Sequence, residues 1–402
     1  MMSKKSPQLR FEGFTDDWED RKLKDILREF STKSKIENEY RVLSSTNVGM
    51  EFRDGRVSGT SNLGYKIIKN GDLVLSPQNL WLGNININNI GTGLVSPSYK
   101  TFNFTDIDSS FIKPQLRTPK MLEEYKNSST QGASVVRRNL EIDSFYQIKI
   151  ATPSIKEQEK IGSFFKHLDA LITLQQRKLD LLKEQKKGYL QKMFPKNGAK
   201  VPELRFAGFA DDWEQRKLED IYEKIRNAFV GTATPYYVEN GHFYLESNNI
   251  KDGTINRNTE VYINDEFYKK QKDKWLKTGD LVMVQSGHVG HTAVIPKDLN
   301  NTAAHALIMF QIQKRKTNSY FLNYQLQTAS SKQKIDIITT GNTIKHILAS
   351  EMKNFEVFIC SSNEENKIAN FFETLDDTIA LHQRKLDLLK EQKKGYLQKM
   401  FA

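Results

Sequence analysis

The chain of 402 residues is too long for one ordinary hydrophobic core, and at roughly 150 residues per domain it predicts two or three domains. Its net charge of +11 indicates an anionic partner, of which nucleic acid is the commonest for a soluble protein. The single cysteine, Cys360, excludes a disulfide framework and a cysteine-based zinc site and favours a reducing cytoplasm, while the lack of a long apolar run argues against secretion or membrane insertion.

In chain order, the first feature is a segment that is written twice. PQLRFEGFTDDWEDRKLKDI at 7–26 returns as PELRFAGFADDWEQRKLEDI at 202–221, with five substitutions. A second repeat relates 155–182 to 362–389, and it ends in QRKLDLLKEQKKGYLQKMF, which is identical at 176–194 and 383–401. A repeat of this length predicts two halves built on one frame.

Between the repeats the two halves share only a skeleton. KNGDLVLSPQNLWLGN at 69–84 parallels KTGDLVMVQSGHVGH at 277–291, and each reads as a turn, a buried strand and a glycine-containing loop. RVLSSTNVGMEFRDGRV at 41–57 likewise parallels YLESNNIKDGTI at 244–255, a strand that runs into a turn. We therefore expect two variable domains on a duplicated constant frame.

The constant frame predicts two long helices. Pro153 is a natural start signal and Pro195 a natural stop, so about 38 residues would make a helix of roughly 57 Å. Gly188 and Gly395 would fit close helix approach or a bend, or they are merely tolerated. Apolar residues three and four apart predict a seam, with members Phe165, Leu168, Ile172, Leu179, Leu182, Tyr189 and Met193 in the first copy and Phe372, Leu375, Ile379, Leu386, Leu389, Tyr396 and Met400 in the second.

An apolar stripe on so long a helix needs a partner, and the simplest partner is the other copy. Because each helix follows one globular domain, an antiparallel coiled coil with a pseudo-twofold axis is expected. The order of parts is also circular, since QKMFA would continue into the N-terminal segment as the first copy continues into PKNGAKVPELRFAGF. The expected fold class is α+β, with two mixed α/β domains joined by the two helices.

Sites for independent catalysis are missing from the sequence. It contains no GxxxxGK[ST] phosphate loop, no GxGxxG after a strand, and no Asn-Pro-Pro-Tyr or Asp-Pro-Pro-Tyr motif of amino-methyltransferases. His288 and His291 could form a metal pair, but no carboxylate or cysteine cluster accompanies them, so a polar ligand-contacting loop is the favoured interpretation. We expect no metal and no catalytic residue in this chain.

At this point the motifs resemble a known family. DDWEDRKLKDI and DDWEQRKLEDI open the two halves, NGDLV and TGDLV stand inside them, and the duplicated helix ending in KKGYLQKMF closes each. This arrangement is similar to the specificity subunit of type I restriction-modification systems, and the similarity covers essentially the whole chain. One departure is Ile359-Cys360-Ser361 where the first half has Ala151-Thr152-Pro153, which weakens the start signal of the second helix.

The resemblance implies a non-catalytic DNA-binding subunit. Each variable part would be a target recognition domain that reads one half of a bipartite, asymmetric site. The helices would act as spacer and docking platform for two modification subunits, which bind S-adenosylmethionine and methylate adenine at N6. Up to two restriction subunits, using ATP with Mg²⁺, would complete the complex, so no cofactor is expected in this chain.

The candidates for reading bases are positions at which the two halves share the strand-and-turn pattern but carry different side chains. These are Ser45, Thr46, Asn47, Gln78 and Asn79 in the first half, and Asn248, Asn249, Gln285, Ser286 and His288 in the second. Nearby cations are candidates for phosphate contacts, namely Arg53, Arg56, Arg137, Arg138, Lys251, Arg257 and Lys345.

The predicted boundaries follow the repeats. They are 1–18 for the N-terminal frame, 19–155 for the first recognition domain, 156–194 for the first helix, 195–213 for the linker and repeated frame, 214–361 for the second recognition domain and 362–402 for the second helix. Two other functions remain open at this stage. A coiled-coil adaptor that binds only protein would explain the helices but not the charge, and a self-contained methyltransferase or nuclease would need a cofactor loop or a metal cluster.

Overall fold

The computed structural model describes residues 7–53, 61–131, 138–196, 198–341 and 344–401. The chain forms two compact units, Met1–Arg177 with Arg384–Ala402 (unit 1) and Lys178–Gln383 (unit 2). Each unit therefore contains one part of each long helix. Across the described ranges, no helix is long and apolar enough to cross a membrane.

The elements of the first half follow one another in short strands and turns before one long helix. In chain order they are β1 (Glu19–Lys22), α1 (Leu23–Ile26), β2 (Leu27–Phe30), β3 (Leu43–Ser45), β4 (Met50–Phe52), β5 (Lys66–Ile68), β6 (Leu73–Leu75), a 3-10 turn (Leu80–Leu82), β7 (Ile85–Ile87), β8 (Gly93–Val95), β9 (Lys100–Phe104), α2 (Ser109–Ile112), α3 (Pro119–Asn127), β10 (Ser129–Gln131), β11 (Arg138–Leu140), α4 (Ile142–Gln147), β12 (Lys149–Thr152) and α5 (Ile155–Lys192).

The second half repeats this plan with additions. Its elements are β13 (Glu214–Lys217), α6 (Leu218–Ile221), β14 (Tyr222–Asn227), β15 (Tyr237–Val238), β16 (His242–Leu245), β17 (Ile250–Lys251), β18 (Thr254–Ile255), β19 (Tyr262–Ile263), α7 (Asp265–Lys270), β20 (Leu281–Val284), β21 (Thr292–Val294), β22 (Ala303–Ala304), β23 (Leu307–Gln313), α8 (Ser319–Leu326), α9 (Ala329–Ile338), α10 (Ala349–Lys353), β24 (Glu356–Ile359) and α11 (Ser362–Phe401), with 3-10 turns at Thr234–Tyr236, Ser247–Asn249, Lys272–Lys274 and Lys297–Leu299.

An antiparallel four-stranded sheet forms the centre of each unit. Its order is β2-β9-β6-β7 in unit 1 and β14-β23-β20-β21 in unit 2. The paired GDLV motifs provide the strands β6 and β20, which are buried along their whole length. Both faces of the unit 1 sheet are covered, since Leu73 and Leu75 lie in one hydrophobic core and Val74 lies in another. The predicted turn and buried strand are therefore present in both halves.

The turn before each of these strands explains the Lys-x-Gly-Asp pattern. Gly71 and Gly279 have φ of 92° and 86°, a conformation that residues with a Cβ rarely adopt. The Asp72 carboxylate accepts a hydrogen bond from the Lys69 N–H at 2.6 Å, and the Asp280 carboxylate accepts one from the Lys277 N–H at 2.8 Å. The aspartates thus satisfy the turn backbone that leads into the core.

Segments of the two long helices pack against each other within each unit. In unit 1, Phe164 of α5 meets Tyr396 of α11 edge to face at 5.0 Å. In unit 2, Phe371 of α11 meets Tyr189 of α5 in the same way, also at 5.0 Å. Unit 1 also contains the contact Asp169–Lys393, and unit 2 contains Lys186–Asp376, so residue numbers rise along one helix as they fall along the other within each unit and the packed segments are antiparallel. The predicted class of mixed α/β domains with long helices is confirmed.

The glycines of the repeated helix do not mark a close approach. A Cβ added at Gly188 or Gly395 would meet no atom within 4 Å. Both residues lie inside continuous helix, so neither marks an end of α5 or α11. The close-approach interpretation was wrong for this pair, and a different glycine, Gly162, has the tight contact: its added Cβ would lie 1.9 Å from the Ser110 Oγ.

One backbone hydrogen bond near the C-terminal end of a long helix, called the joint below, occurs in both units. Its donor comes from a different part of the chain in each unit. The Leu204 N–H donates to the Lys192 carbonyl at 2.8 Å in unit 2, where the chain runs directly from one to the other. In unit 1 the equivalent bond runs from the Leu9 N–H to the Lys399 carbonyl at 3.0 Å. The N-terminal segment therefore supplies for α11 what the linker supplies for α5, as the circular order of the sequence predicts.

Candidate functional site

A tight hairpin turn between β3 and β4 presents the first group of candidate residues. Asn47 and Val48 are exposed at its tip, and the Thr46 hydroxyl accepts hydrogen bonds from the Val48 and Gly49 N–H groups, both at 3.2 Å. The Thr46 N–H also donates to the Gly49 carbonyl at 2.9 Å. Thr46 therefore shapes the turn, and Asn47 is the member of this group that is free to face a ligand.

Ser45 does not fit the role predicted for it. Its side chain is 4% exposed, and its hydroxyl donates to the Val74 carbonyl at 3.3 Å and accepts from the Asn86 amide at 2.7 Å. A residue at the end of a strand faces inward or outward according to the sheet pleat, and Ser45 faces inward. It supports the turn from below and cannot reach a base without unfolding it.

Arg117 holds the backbone of this turn in place. Its guanidinium donates to the carbonyls of Thr46 and Val48, both at 3.1 Å, and to the side-chain oxygen of Asn86. Burial lowers the pKa of Arg117. Asn86 in turn donates to the Thr46 carbonyl at 2.7 Å. Because its N–H groups are hydrogen-bonded to these carbonyls, Arg117 fixes the position of the turn tip that carries Asn47.

The loop after β6 contains the second pair of candidates. Gln78 is exposed, whereas the Asn79 amide oxygen accepts a hydrogen bond from the Arg138 N–H at 2.9 Å. The Arg138 guanidinium donates hydrogen bonds to the carbonyls of Lys126 and Ser129, at 3.4 and 3.3 Å. Asn79 and Arg138 thus join two loops, and Gln78 is the residue of this group whose side chain faces outward.

In unit 2 the corresponding turn is also held by buried amides. Asn249 is 2% exposed, and it accepts from the Glu246 N–H at 2.9 Å and donates to the carbonyls of Asn256 and Thr259 at 3.0 and 2.8 Å. Its predicted base-reading role does not fit this burial, whereas its neighbour Asn248 is exposed. Asn323 of α8 donates to the Gly253 carbonyl at 2.9 Å and so anchors the next turn.

The loop after β20 carries the remaining candidates. His288 is exposed, and the backbone of Ser286 pairs with that of His346 in an isolated β-bridge. Gln285 is half-buried, and its side-chain oxygen has no hydrogen-bond partner. The rings of His288 and His291 are 6.4 Å apart, and burial lowers the pKa of His291. Among the described residues, no group of three or more His, Cys, Asp or Glu side chains is arranged to hold a metal ion.

Besides Arg138, the six other predicted phosphate contacts fall into three groups. Arg53 and Lys251 are exposed. Arg257 pairs with Asp298 at 2.6 Å and Lys345 with Asp336 at 3.3 Å, both at the surface, where solvent makes such pairs easy to exchange. Arg56 and Arg137 lie outside the described residues.

The predicted seam residues are buried or half-buried in both helices. An ion pair accompanies the seam in each unit. Lys393 meets Asp169 at 2.5 Å in unit 1, and Lys186 meets Asp376 at 2.6 Å in unit 2. Lys186 and Lys393 are the same residue of the identical repeat. The lysine that interrupts the apolar seam therefore forms the ion pair in each unit.

Sequence reasoning missed Arg117 and Asn323, although a signal was present. SSFIKPQLRT at 109–118 aligns with SYFLNYQLQT at 319–328, which sets Arg117 opposite Gln327. A Cβ on Gly253 would lie 2.3 Å from the Gln327 side chain, so this position touches a turn in both units. The alignment identifies the position, but only the fold shows that its side chain reaches a turn about 70 residues away in sequence.

Similarity to known proteins identifies the family of this chain. The family described as type I restriction modification DNA specificity domain matches residues 15–184 and again residues 210–391. The chain belongs to this specificity family. Its two halves are thus two copies of a DNA specificity domain.

Known members of the family cover much of this chain. The type I restriction enzyme MjaVIII specificity subunit of Methanocaldococcus jannaschii is 23% identical over 283 residues, which is 68% of this chain and 66% of that protein. The match therefore spans just under two thirds of the relative's own length.

Solved structures of specificity subunits share the fold. The S subunit of a type I restriction-modification system from M. genitalium matches with a TM-score of 0.63 at 13% identity and covers 99% of both chains. A chain from a study of complex assembly and conformational transition in the type I R-M system matches with a TM-score of 0.56 at 14% identity, over 97% of this chain and 98% of that one. At such identities the likeness shows the fold alone.

Proposed function

We propose that this specificity subunit reads a bipartite, asymmetric DNA site, with one recognition domain on each half-site. The observation that supports this most is the contrast inside each unit. The frame repeats bond for bond, as in Arg10–Glu157 and Arg205–Glu364, whereas the loops beside it differ in length and chemistry. A constant frame with unlike loops suits one mode of binding to two different base sequences.

The side chains proposed to read bases are those that the structure leaves exposed. Asn47 and Gln78 in unit 1 and Asn248 in unit 2 lie on turns whose backbone is held by buried or half-buried side chains. His288 lies on the loop after β20, where the Gly287 N–H donates to the Lys345 carbonyl at 3.1 Å. Amide and imidazole groups can pair with base edges in the major groove. Thr46, Ser45, Asn79 and Asn249 would act through the shape of those turns.

Two modification subunits are the proposed partners of the helices. Each unit exposes a leucine of the identical repeat away from its seam, Leu388 in unit 1 and Leu181 in unit 2. Apolar side chains at repeated surface positions are typical of protein contacts, and the same residue in each unit would suit two identical partners.

Catalysis would belong to those partners. In this proposal the modification subunits bring S-adenosylmethionine and methylate adenine at N6, and up to two restriction subunits add ATP-dependent cleavage with Mg²⁺. This chain would supply the choice of sequence.

The test is co-expression with the modification subunit of the same system, followed by methylation mapping on genomic DNA. Methylation at one bipartite motif is expected from the complex and none from either protein alone. Methylation by this chain alone would show a self-contained enzyme. A complex that assembles but methylates without sequence preference would favour the adaptor function.

A further inference from the structure

Each unit contains an open groove between a recognition turn and the helix pair. In unit 1 its volume is about 790 Å³, and Val48, Gly49 and Met50 form one side while Asp169, Ile172 and Leu397 form the other. In unit 2 the volume is about 670 Å³, with Asp252 and Thr254 on one side and Asp376, Ile379 and Leu190 on the other. Both volumes are within the range of ligand-binding clefts.

The helix sides of the two grooves share a set of equivalent residues. Asp169, Ile172 and Leu397 are matched in the repeat by Asp376, Ile379 and Leu190. The ion pairs Asp169–Lys393 and Asp376–Lys186 also lie among these lining residues. The helix side of each groove is thus part of the duplicated frame, whereas its turn side belongs to a recognition domain.

Both grooves carry an excess of positive charge. In unit 1 the cations Lys113, Arg117, Arg177 and Lys393 face one carboxylate, Asp169. In unit 2 the cations Lys183, Lys186, Lys187 and Lys332 face two, Asp252 and Asp376. An anionic ligand is therefore favoured in both.

The turn sides of the two grooves differ, and this difference favours DNA over an anionic protein partner as the ligand. Val48-Gly49-Met50 is apolar, whereas Asp252 and Thr254 are polar. A protein partner that filled both grooves would meet the same residues only on the helix side. DNA has a constant backbone charge and a base sequence that varies, which suits one constant side and one variable side.

We infer that the two grooves hold the phosphate backbone of the DNA, so that the constant helices contribute affinity as well as spacing. The exposed cations Lys113 and Arg177 would contact phosphates in unit 1, and Lys183 and Lys332 in unit 2. The apolar and polar turns would face the bases that these phosphates flank. This inference rests on the proposed function, because it concerns where the recognised duplex lies.

The experiment measures how DNA binding by the complex with the modification subunit depends on salt. Duplexes with the mapped site and unrelated duplexes of equal length are titrated between 50 and about 200 mM salt, the range in which phosphate contacts dominate. The variants are Lys113→Gln with Arg177→Gln, and Lys183→Gln with Lys332→Gln. Lys120→Gln with Lys353→Gln, at exposed lysines that do not line either groove, is the matched control.

Each groove variant should reduce the slope of log K against log salt by about 1.8, since each phosphate contact contributes about 0.9. The reduction should be similar on both duplexes, and the methylated motif should stay the same, because phosphates carry no sequence information. The control variant should leave the slope unchanged. Circular dichroism melting confirms that the variants remain folded.

An unchanged slope in folded groove variants would overturn the inference. Loss of modification-subunit binding, with no change in the slope of any complex that remains, would also overturn it and assign the groove to an acidic protein segment. If the wild-type complex itself shows no preference for a bipartite site, the proposed function fails, and that result is separate from the groove measurement on unrelated DNA.

Discussion

Gln158 and Glu365 occupy the same position in the first turn of the two long helices, and each accepts a hydrogen bond at 2.9 Å from the backbone N–H of a residue that caps a short helix. The donor is Asp108 in unit 1 and Asn318 in unit 2. The Gln158 amide also donates to the Pro153 carbonyl at 2.8 Å. One unit therefore buries a neutral amide where the other buries a carboxyl group.

This difference predicts a pH dependence of unit 2. Burial raises the pKa of Glu365 to about 7, above its ordinary value of about 4.3. Because the folded pKa is the higher one, the protonated group favours the native state, and this contribution is lost as pH rises from about 4.3 to about 7. Glu365→Gln should therefore stabilise the protein at pH 8, on the order of 3 kcal/mol, and hardly at pH 4.

Urea unfolding of both proteins across this pH range checks the prediction. Gln158→Glu is the reverse control, and it should make unit 1 lose stability as pH rises. If the free energies of unfolding of wild type and Glu365→Gln changed in parallel with pH, Glu365 would have the same pKa in the folded and the unfolded protein, and the prediction would be wrong.

Two glycines in the interior of α5 should respond oppositely to alanine. At Gly188 a Cβ meets open space, so Gly188→Ala should raise the free energy of unfolding by about 0.5–1 kcal/mol through helix propensity. At Gly162 the same Cβ would overlap Ser110, so Gly162→Ala should destabilise unit 1 by about 1–3 kcal/mol. Thermal unfolding of the two variants decides this, and an equal shift in both would contradict the tight contact.

The buried ion pair of the frame should matter far more than a surface pair. Arg10 and Glu157 meet at 2.7 Å with side-chain exposures of 13% and 0%. Arg10→Met leaves the Glu157 carboxylate buried without its cation and should cost about 3–5 kcal/mol. Lys100→Met, which breaks the half-exposed pair with Glu29, should cost less than about 1 kcal/mol. Comparable losses in chemical denaturation would argue that Glu157 is readily solvated.

Substitution of Arg117 should relax recognition of one half-site only. Arg117→Gln removes the hydrogen bonds to the Thr46 and Val48 carbonyls, so the tip with Asn47 loses its fixed position. Discrimination at the half-site read by unit 1 should fall about tenfold, as expected for one or two net hydrogen bonds. Methylation mapping of the complex measures both half-sites at once.

The counterpart variant is Asn323→Leu, which releases the Gly253 carbonyl in unit 2 and should affect the other half-site. Equal loss at both half-sites in either variant would indicate general destabilisation, and unchanged discrimination would remove these turns from recognition.

Local patterns in the sequence were enough to predict the long helices, the antiparallel seam and the Lys-x-Gly-Asp turns. Those features depend on spacing and on residues close together in the chain. The orientation of Ser45 and Asn249 was not predictable, because adjacent polar residues look alike until the pleat and the partners Asn86 and Asn256 are known. The tightly packed glycine was also missed, since only the position of Ser110 distinguishes Gly162 from Gly188.

The joint between Leu9 and Lys399 has a consequence for the order of folding. The core of unit 2 contains Met193 and Phe194, which are close in sequence to Leu204 and Trp213, so its joint closes a short loop. The core of unit 1 instead requires Met400 and Phe401 from the other end of the chain, and the Phe401 ring stacks on Phe165 and contacts Trp18. Closing so long a loop is slow, so unit 2 should reach its native state first and unit 1, although it begins earlier in the sequence, should be the last to become resistant to proteolysis during refolding.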